Sequence, residues 1–368
     1  MKVPFVDLTT QYLALRTEFA TAIDRVCSTS QFILGDELKA FEVEFAQLHE
    51  SQFAIGVSSG LEALALSLMA LGIGPGDDVL IPANTFIATA LAVTRVGARP
   101  VLVDIDRETH LIDLNRCEAA LTPKTKAVMP VHLYGQPADM TEILQFASGR
   151  KLHVIEDACQ AHGARYQGKR IGALGSVGAF SFYPAKNIGA FGDGGAVVTN
   201  QESIATAIAQ HRHYGQGQRY QHLVKGTNAR LDTVQAAVLR IKLKKLDQWN
   251  QHRMQHARRY MEGLRELRSI RLPVAKPDRD HIFHLFVIET ERRDELIAWL
   301  AKHEIQSGIH YPTPIHLQPA YQELGYRVGD FPRTEAAAKQ IVSLPMYPEL
   351  ANDQIDFVVE QIREFCRV

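Results

Sequence analysis

The sequence predicts an α/β protein with a large domain, built on a mostly parallel sheet, and a small α+β C-terminal domain. As far as Thr199, short apolar runs alternate with segments of helical periodicity. In addition, the chain has 368 residues, of which 46% are hydrophobic, which is enough for one large core and a second, smaller one. We predict the large domain at residues 1–250, including an N-terminal arm, and the small domain at 251–368.

The elements follow from local patterns. Leu38, Phe41 and Phe45 recur at helical spacing and predict a helix over 37–48. A charged stretch from Lys242 to Arg271 predicts one long helix leading into the second domain, where 281–288 reads as a strand. The predicted strands of the large domain are 54–57, 78–82, 100–104, 127–131, 152–157, 177–182 and 196–199.

Charge and cysteine content exclude several classes of protein. A formal net charge of -1 argues against a general nucleic-acid or membrane-surface binder. The four cysteines form no CxxC pair, and His252 with His256 lacks a third ligand, so we expect no metal site and place both histidines on the surface. Without a signal core or an apolar run of membrane length, we expect a cytoplasmic protein.

One lysine stands in an unusual place. The apolar run 177–182 ends at Tyr183-Pro184, Lys186 follows, and a glycine-rich stretch leads into the next predicted strand. A lysine on an irregular loop between two buried strands loses its proton easily and can attack an aldehyde. Taken alone, Lys186 is better explained as a solvated loop residue, since most lysines lie on the surface.

Other polar groups also follow predicted strands. Ser59, Phe86, Asp157 and Lys186 lie at or just after strand ends, and ligands of parallel sheets gather at their carboxyl ends. This convergence predicts pyridoxal phosphate (PLP) chemistry, with Lys186 as the Schiff-base lysine and Asp157 at the pyridinium nitrogen. Ser59 at a helix start would hold the phosphate and Phe86 would stack on the ring. An ordinary strand–helix turn, a core aromatic and a helix-capping aspartate are the alternatives.

Four segments carry a family resemblance: 156–164, 181–187, 192–195, and 228–232 with Gln235. In this order they resemble the DegT family, the PLP-dependent nucleotide-sugar aminotransferases of fold type I. The resemblance begins at 3–8 and extends into the C-terminal region. It implies a homodimer with shared active sites.

The resemblance also implies roles for individual residues. Lys186 matches the Schiff-base lysine, Asp157 the pyridinium partner and Gln160 the residue that binds the phenolic oxygen of the cofactor. Gly60, Leu61 and Ser181 match the phosphate cradle, Phe86 the stacking ring, and Asn228 a phosphate ligand from the partner subunit. Leu61 departs from the threonine of many members, which leaves a backbone amide for the phosphate.

The segment around Lys186 is similar to that of enzymes that aminate a 3-keto sugar on a thymidine diphosphate carrier, with L-glutamate as the expected donor. Tyr183, His310, Tyr311 and His316 would line the sugar site, although loop histidines can also be structural. The alternatives are a 4-keto sugar or cyclitol aminotransferase, a glutamine donor, or a non-catalytic sugar-nucleotide sensor.

Overall fold

The computed structural model describes residues 1–367 and is built around a seven-stranded sheet. Its helices are α1 (Leu8–Thr29), α2 (Asp36–Leu48), α3 (Gly60–Ala70), α4 (Ile87–Arg95), α5 (Leu114–Ala120), α6 (Met140–Ser148), α7 (Glu202–His211), α8 (Thr233–Leu243), α9 (Leu246–Leu264), α10 (Arg293–Lys302), α11 (Pro332–Gln340) and α12 (Asn352–Arg367). Its strands are β1 (Phe53–Val57), β2 (Asp78–Pro82), β3 (Arg99–Val103), β4 (Thr125–Val128), β5 (His153–Asp157), β6 (Arg165–Tyr166), β7 (Lys169–Arg170), β8 (Val177–Ser181), β9 (Gly195–Thr199), β10 (Gln216–Gln218), β11 (Gln221–His222), β12 (Phe286–Glu289) and β13 (Ile341–Leu344).

The central sheet confirms the predicted fold class. Its order is β3-β2-β4-β5-β8-β9-β1, and the pairings from β3 to β8 are parallel. Strand β9 runs antiparallel to both β8 and β1. Since the strands from β3 to β8 share one direction, their carboxyl ends meet at one edge of the sheet.

Both faces of this sheet are covered by helices. On one face, Ile155 and Val197 pack in a core with residues of α3 and α4. On the other face, Val154 and Val198 pack with residues of α2 and α8. Consecutive side chains of a strand point to opposite faces, so the adjacent apolar residues of β5 and β9 fill both cores.

A third core is formed mainly by the C-terminal part of the chain. Strands β12 and β13 pair antiparallel, and α9, α10 and α12 pack around them. The N-terminal arm joins this core, because Val3 is fully buried there. Its backbone bonds with Glu304 at 3.0 Å and with Gln306 at 2.9 Å. Within residues 1–367 no helix is both long and apolar enough to cross a bilayer.

The prediction of one helix from Lys242 to Arg271 is wrong. Helix α8 ends at Leu243, and α9 begins at Leu246 and ends at Leu264. The chain breaks there because α8 packs on α1 and α2, whereas α9 packs on α12. The predicted boundary at residue 250 falls inside α9, whose early residues join the sheet-side core and whose later residues join the C-terminal core.

Two further expectations also need correction. The strand predicted at 281–288 is shorter and shifted, Phe286–Glu289, because Phe283 has a φ of 47°, which is incompatible with an extended strand. His256 is buried rather than on the surface, since its Nε2 lies 3.1 Å from the carbonyl oxygen of Pro348. Helix α12 covers this side of α9, which the sequence of α9 alone could not reveal.

A buried arginine ties α9 to the C-terminal segments, and this predicts its contribution to stability. The Arg253 guanidinium donates to the carbonyls of Phe283 and His284 at 3.2 Å and of Met346 at 2.9 Å. Replacing Arg253 with Met should lower the free energy of unfolding by about 2–4 kcal/mol, because three buried acceptors lose their donor. Urea unfolding followed by circular dichroism measures this change.

The matched control is Arg259→Ala on the same helix, where an exposed ion pair with Asp356 is lost. We expect no measurable change for it, since exposed pairs contribute little. An Arg253→Met protein as stable as this control would contradict the prediction.

Candidate active site

A cavity of about 440 Å³ lies at the carboxyl ends of the parallel strands. It is closed by segments distant in sequence: the turn before α3, the start of α4, the loop after β8, and residues of the C-terminal part. Of the predicted site residues, those lining it are Ser59, Gly60, Leu61, Phe86, Asp157, Gln160, Ser181, Tyr183, Lys186, His310 and Tyr311. The structure therefore brings most of the predicted residues together around one space.

Lys186 lies on the irregular loop between β8 and β9. Its backbone amide donates to the carbonyl of Tyr183 at 2.8 Å, which closes a turn after the strand. The turn that follows Lys186 is also fixed, because the ammonium group of the buried Lys242 donates to the carbonyl of Gly189 at 2.6 Å. Burial lowers the pKa of Lys186 below the ordinary lysine value, and the nearby Cys159 and Asp157 oppose only part of this shift.

Asp157 is the last residue of β5 and is buried beside the cavity. Its Oδ2 accepts a hydrogen bond from Thr89 Oγ1 at 2.8 Å, and its Oδ1 accepts one from the Cys159 amide at 3.2 Å. Thr89 is itself held by Thr85 at 2.9 Å. The carboxylate is therefore fixed in position while it still lines the cavity.

The cavity wall opposite this acid is a tight turn. Ser59 caps α3 by accepting a hydrogen bond from the Glu62 amide at 3.1 Å, so α3 points its N-terminus into the cavity. A Cβ on Gly60 would lie 2.7 Å from the Cβ of Ser181 and 2.9 Å from the sulfur of Cys159. Only glycine permits this approach, which leaves free backbone amides and the Ser181 hydroxyl beside a helix N-terminus, the combination that binds phosphate.

Gln160 links the sheet to the C-terminal loop. Its Oε1 accepts from the Tyr134 amide at 2.8 Å, and its Nε2 donates to the hydroxyl of Tyr311 at 3.2 Å. The Tyr311 ring in turn packs on Phe86, with ring centroids 5.3 Å apart. Phe86 remains 51% exposed, so one side of its ring is open to a flat ligand.

Some predicted residues lie elsewhere. His316 is buried against Glu335, with Nε2 3.0 Å from Oε1, and it does not reach the cavity. Asn228 is exposed and pairs through its backbone with His213, outside the cavity of its own chain. His162, a neighbour of Gln160 in sequence that was not predicted above, is also not among the lining residues and bonds to the carbonyl of Ser181 at 2.8 Å.

Sequence reasoning missed several residues of the cavity wall. Thr89 lies three residues after Phe86 but has no sequence pattern of its own, and only its bond to Asp157 reveals its role. His284 and Met346 come from the C-terminal part, and Phe5 from the N-terminal arm. The arm was included in the resemblance, but no pattern in the sequence showed that Phe5 stacks on His310, with ring centroids 5.6 Å apart.

The comparisons with known proteins agree with this geometry. The sequence profile of the DegT/DnrJ/EryC1/StrS aminotransferase family matches residues 14–363. The dTDP-3-amino-3,4,6-trideoxy-alpha-D-glucose transaminase of Streptomyces venezuelae is 50% identical over 365 residues, covering 99% of this chain and 96% of that protein. The Saccharopolyspora erythraea protein named erythromycin biosynthesis sensory transduction protein EryC1 is 48% identical and covers 99% of both chains.

A solved structure is also similar throughout. The crystal structure of S. venezuelae DesV, in complex with a ketimine intermediate, superposes with a TM-score of 0.98 at 50% identity. The match covers 100% of this chain and 99% of that one. The chain therefore has the fold of the PLP aminotransferases of fold type I, as the sequence predicted.

The lowered pKa of Lys186 predicts an unusually reactive amine. We expect acetic anhydride to modify Lys186 at a lower pH than exposed lysines such as Lys244, because more of Lys186 is unprotonated at a given pH. Competitive labelling over a pH series, read by peptide mass spectrometry, measures this order. Burial lowers the pKa of Lys242 as well, to about 8, but its amine is enclosed and bonded to Gly189, so it should stay unmodified and serves as the control for access to the reagent. If Lys186 and Lys244 follow the same pH curve, burial does not tune this amine.

Proposed function

We propose that this chain, which belongs to the DegT/DnrJ/EryC1/StrS aminotransferase family, is a PLP-dependent sugar aminotransferase. It moves an amino group from L-glutamate to the keto group of a sugar nucleotide, a dTDP-3-keto-6-deoxyhexose. The product is a dTDP-3-amino-3,6-dideoxyhexose. The observation that carries the proposal is one cavity in which Lys186, the fixed Asp157 carboxylate and the glycine turn at the start of α3 face a common space.

The residues of the cavity fit pyridoxal phosphate, on which the family depends. The amides of Gly60 and Leu61 and the Ser181 hydroxyl would hold the phosphate, Phe86 would cover the ring, and Asp157 would bind the ring nitrogen. When bound there, the cofactor supplies an electron sink for the α-carbon of an amine substrate. The leucine at position 61 can still contribute a phosphate ligand, because its backbone amide stays available at the start of the helix.

Lys186 and its surroundings would carry the proton transfers. Once an amino-acid donor occupies the cavity, Lys186 Nζ takes the α-proton of the donor and later returns a proton during amination of the sugar. Its lowered pKa favours the free amine that a base must be. Phe86, Tyr311 and the arm residue Phe5 line the same cavity as Lys186, and their apolar rings limit the access of water to it.

The rim of the cavity supports a sugar as the amino acceptor. Tyr183 is 58% exposed at its mouth, and His310 and Tyr311 form the wall contributed by the C-terminal part. Amination at C3 is favoured over C4 because the S. venezuelae relative is named as a 3-amino-sugar transaminase. The alternatives are tested with the same enzyme. A cyclitol ketone or a 4-keto sugar nucleotide replaces the acceptor, and glutamine replaces glutamate as the donor.

The second candidate is a sugar-nucleotide sensor without turnover. One relative carries a sensory name at 48% identity, and this observation favours the alternative. A sensor has no use for a buried lysine of lowered pKa beside a fixed carboxylate, and this chain retains both. The experiments below separate the two functions.

A homodimer with shared active sites completes the proposal. Asn228 is exposed and lies outside the cavity of its own chain, which suits a residue that reaches the phosphate of the partner subunit. The segment between α7 and Asn228 presents Tyr214, Tyr220 and Leu223 with 46%, 79% and 58% exposure. A second copy of the chain would cover these apolar side chains.

The four cysteines are free thiols, which fits a reducing, cytoplasmic setting.

The first test follows the cofactor in solution. The purified protein with PLP should show a visible absorption band that bleaches with L-glutamate and returns with a dTDP-3-keto sugar. Lys186→Ala should lose the band and lower turnover by at least roughly 10⁴-fold, because both the covalent link and the base are gone. Lys244→Ala, an exposed lysine, is the control and should behave as the wild type. Ping-pong turnover by Lys186→Ala would contradict the mechanism, and a stable band that no amino donor bleaches would favour the sensor.

The second test asks whether two subunits share each site. Lys186→Ala and Asn228→Asp should each be inactive as pure proteins, the latter because a carboxylate repels the phosphate. When both are co-expressed, mixed dimers carry one site with both changes and one site with neither. Activity should therefore return to roughly one quarter of the wild-type level, as for a symmetric dimer with random pairing. No recovery, despite mixed dimers shown by native mass spectrometry, would mean that Asn228 acts within its own chain.

A further inference from the structure

His284 lines the cavity but has no role in the site described so far. It lies just before β12 and is 9% exposed. Its backbone is fixed by the carbonyl bond to Arg253. Its ring is fixed by Asn187, whose Oδ1 lies 3.0 Å from His284 Nδ1. Asn187 directly follows Lys186, so this ring and the reactive lysine are anchored to the same point of the loop.

A chain of hydrogen bonds determines which ring nitrogen carries the proton. Asn250 on α9 contacts the carbonyl oxygen of His162 at 2.8 Å, and a carbonyl only accepts, so the Asn250 amide nitrogen must point there. The Asn250 Oδ1 is then the acceptor for Asn187 Nδ2 at 2.8 Å. This leaves Asn187 Oδ1 to accept from His284, and Nδ1 of His284 therefore holds the hydrogen.

The other nitrogen is left as a free acceptor. Nε2 of His284 has no hydrogen-bond partner among residues 1–367, and it is not among their occluded unpaired atoms. Because His284 lines the cavity and its Nε2 is unpaired without being occluded, this nitrogen has a lone pair available to a ligand there. Burial and the neighbouring Lys186 lower the pKa of His284 well below its usual value, so the ring is neutral.

We propose that His284 Nε2 accepts a hydrogen bond from a hydroxyl group of the sugar substrate. An acceptor lone pair suits a hydroxyl donor and disfavours the carboxylates of the amino-acid donor, which are themselves acceptors. His284 would therefore act in the sugar half of the reaction and not in the glutamate half. The inference rests on the proposed function, since it takes the amino acceptor to be a sugar.

Two substitutions separate this role from a structural one. His284→Asn keeps a side-chain N–H near Nδ1 for Asn187 and removes the acceptor from the cavity. His284→Gln places an amide oxygen near the Nε2 position and loses the bond to Asn187. Circular dichroism melting of both proteins checks folding, and either variant that folds tests the proposal, because their expected effects are opposite.

The experiment compares the two half-reactions of the PLP-loaded protein by loss of its visible band. With a dTDP-3-amino-3,6-dideoxyhexose, His284→Asn should react about 10–100-fold more slowly, as for the loss of a buried hydrogen bond. With L-glutamate it should stay within roughly twofold of the wild type. His284→Gln should stay closer to the wild type with the sugar. Calorimetric binding of dTDP-glucose, which has no keto or amino group to react, should weaken with the Asn variant by a similar factor.

Other outcomes overturn the proposal. Equal slowing of both half-reactions by His284→Asn would mean that the ring acts through Asn187 on Lys186. No change in the sugar half-reaction, or a larger loss in His284→Gln than in His284→Asn, would exclude contact between Nε2 and the sugar. A wild-type protein that reacts with glutamate but never with the amino sugar would instead refute the proposed function, and the inference with it.

Discussion

The buried carboxylate of Glu156 holds together the part of the sheet on which the site is built. It accepts hydrogen bonds from the amides of Gly172, Leu174 and Gly175 at 2.7–2.8 Å, and from His132 at 3.0 Å. These bonds lower its pKa although burial opposes the shift, so the charge persists in the core. Because neighbouring strand residues face opposite sides, anchoring Glu156 below the sheet aims the adjacent Asp157 into the cavity.

Much of the fold and of the site could be predicted because the signals are local. Apolar runs located the ends of the central strands to within about three residues. The proline–lysine–glycine stretch after β8 and the acidic end of β5 identified Lys186 and Asp157, and both line the cavity. Such features depend on a few consecutive residues and on the rule that ligands gather at the carboxyl ends of parallel strands.

The remainder depends on contacts between distant segments, which no local pattern reports. His284 meets Asn187 across 97 positions, and Asn187 meets Asn250 across 63. His316 was predicted to line the sugar site with His310 and Tyr311, but Glu335 of α11 covers it. The break between α8 and α9 was hidden by a uniformly charged sequence, since only their different packing partners separate the two helices.

Helix α9 has a mechanical consequence for the molecule. It is one unbroken rod that starts in the sheet-side core and ends in the C-terminal core, so these two bodies cannot bend about it as about a flexible joint. This rigid connection keeps the cavity wall contributed by the C-terminal part, which includes His284 and Tyr311, at a fixed position relative to the sheet edge that carries Asp157.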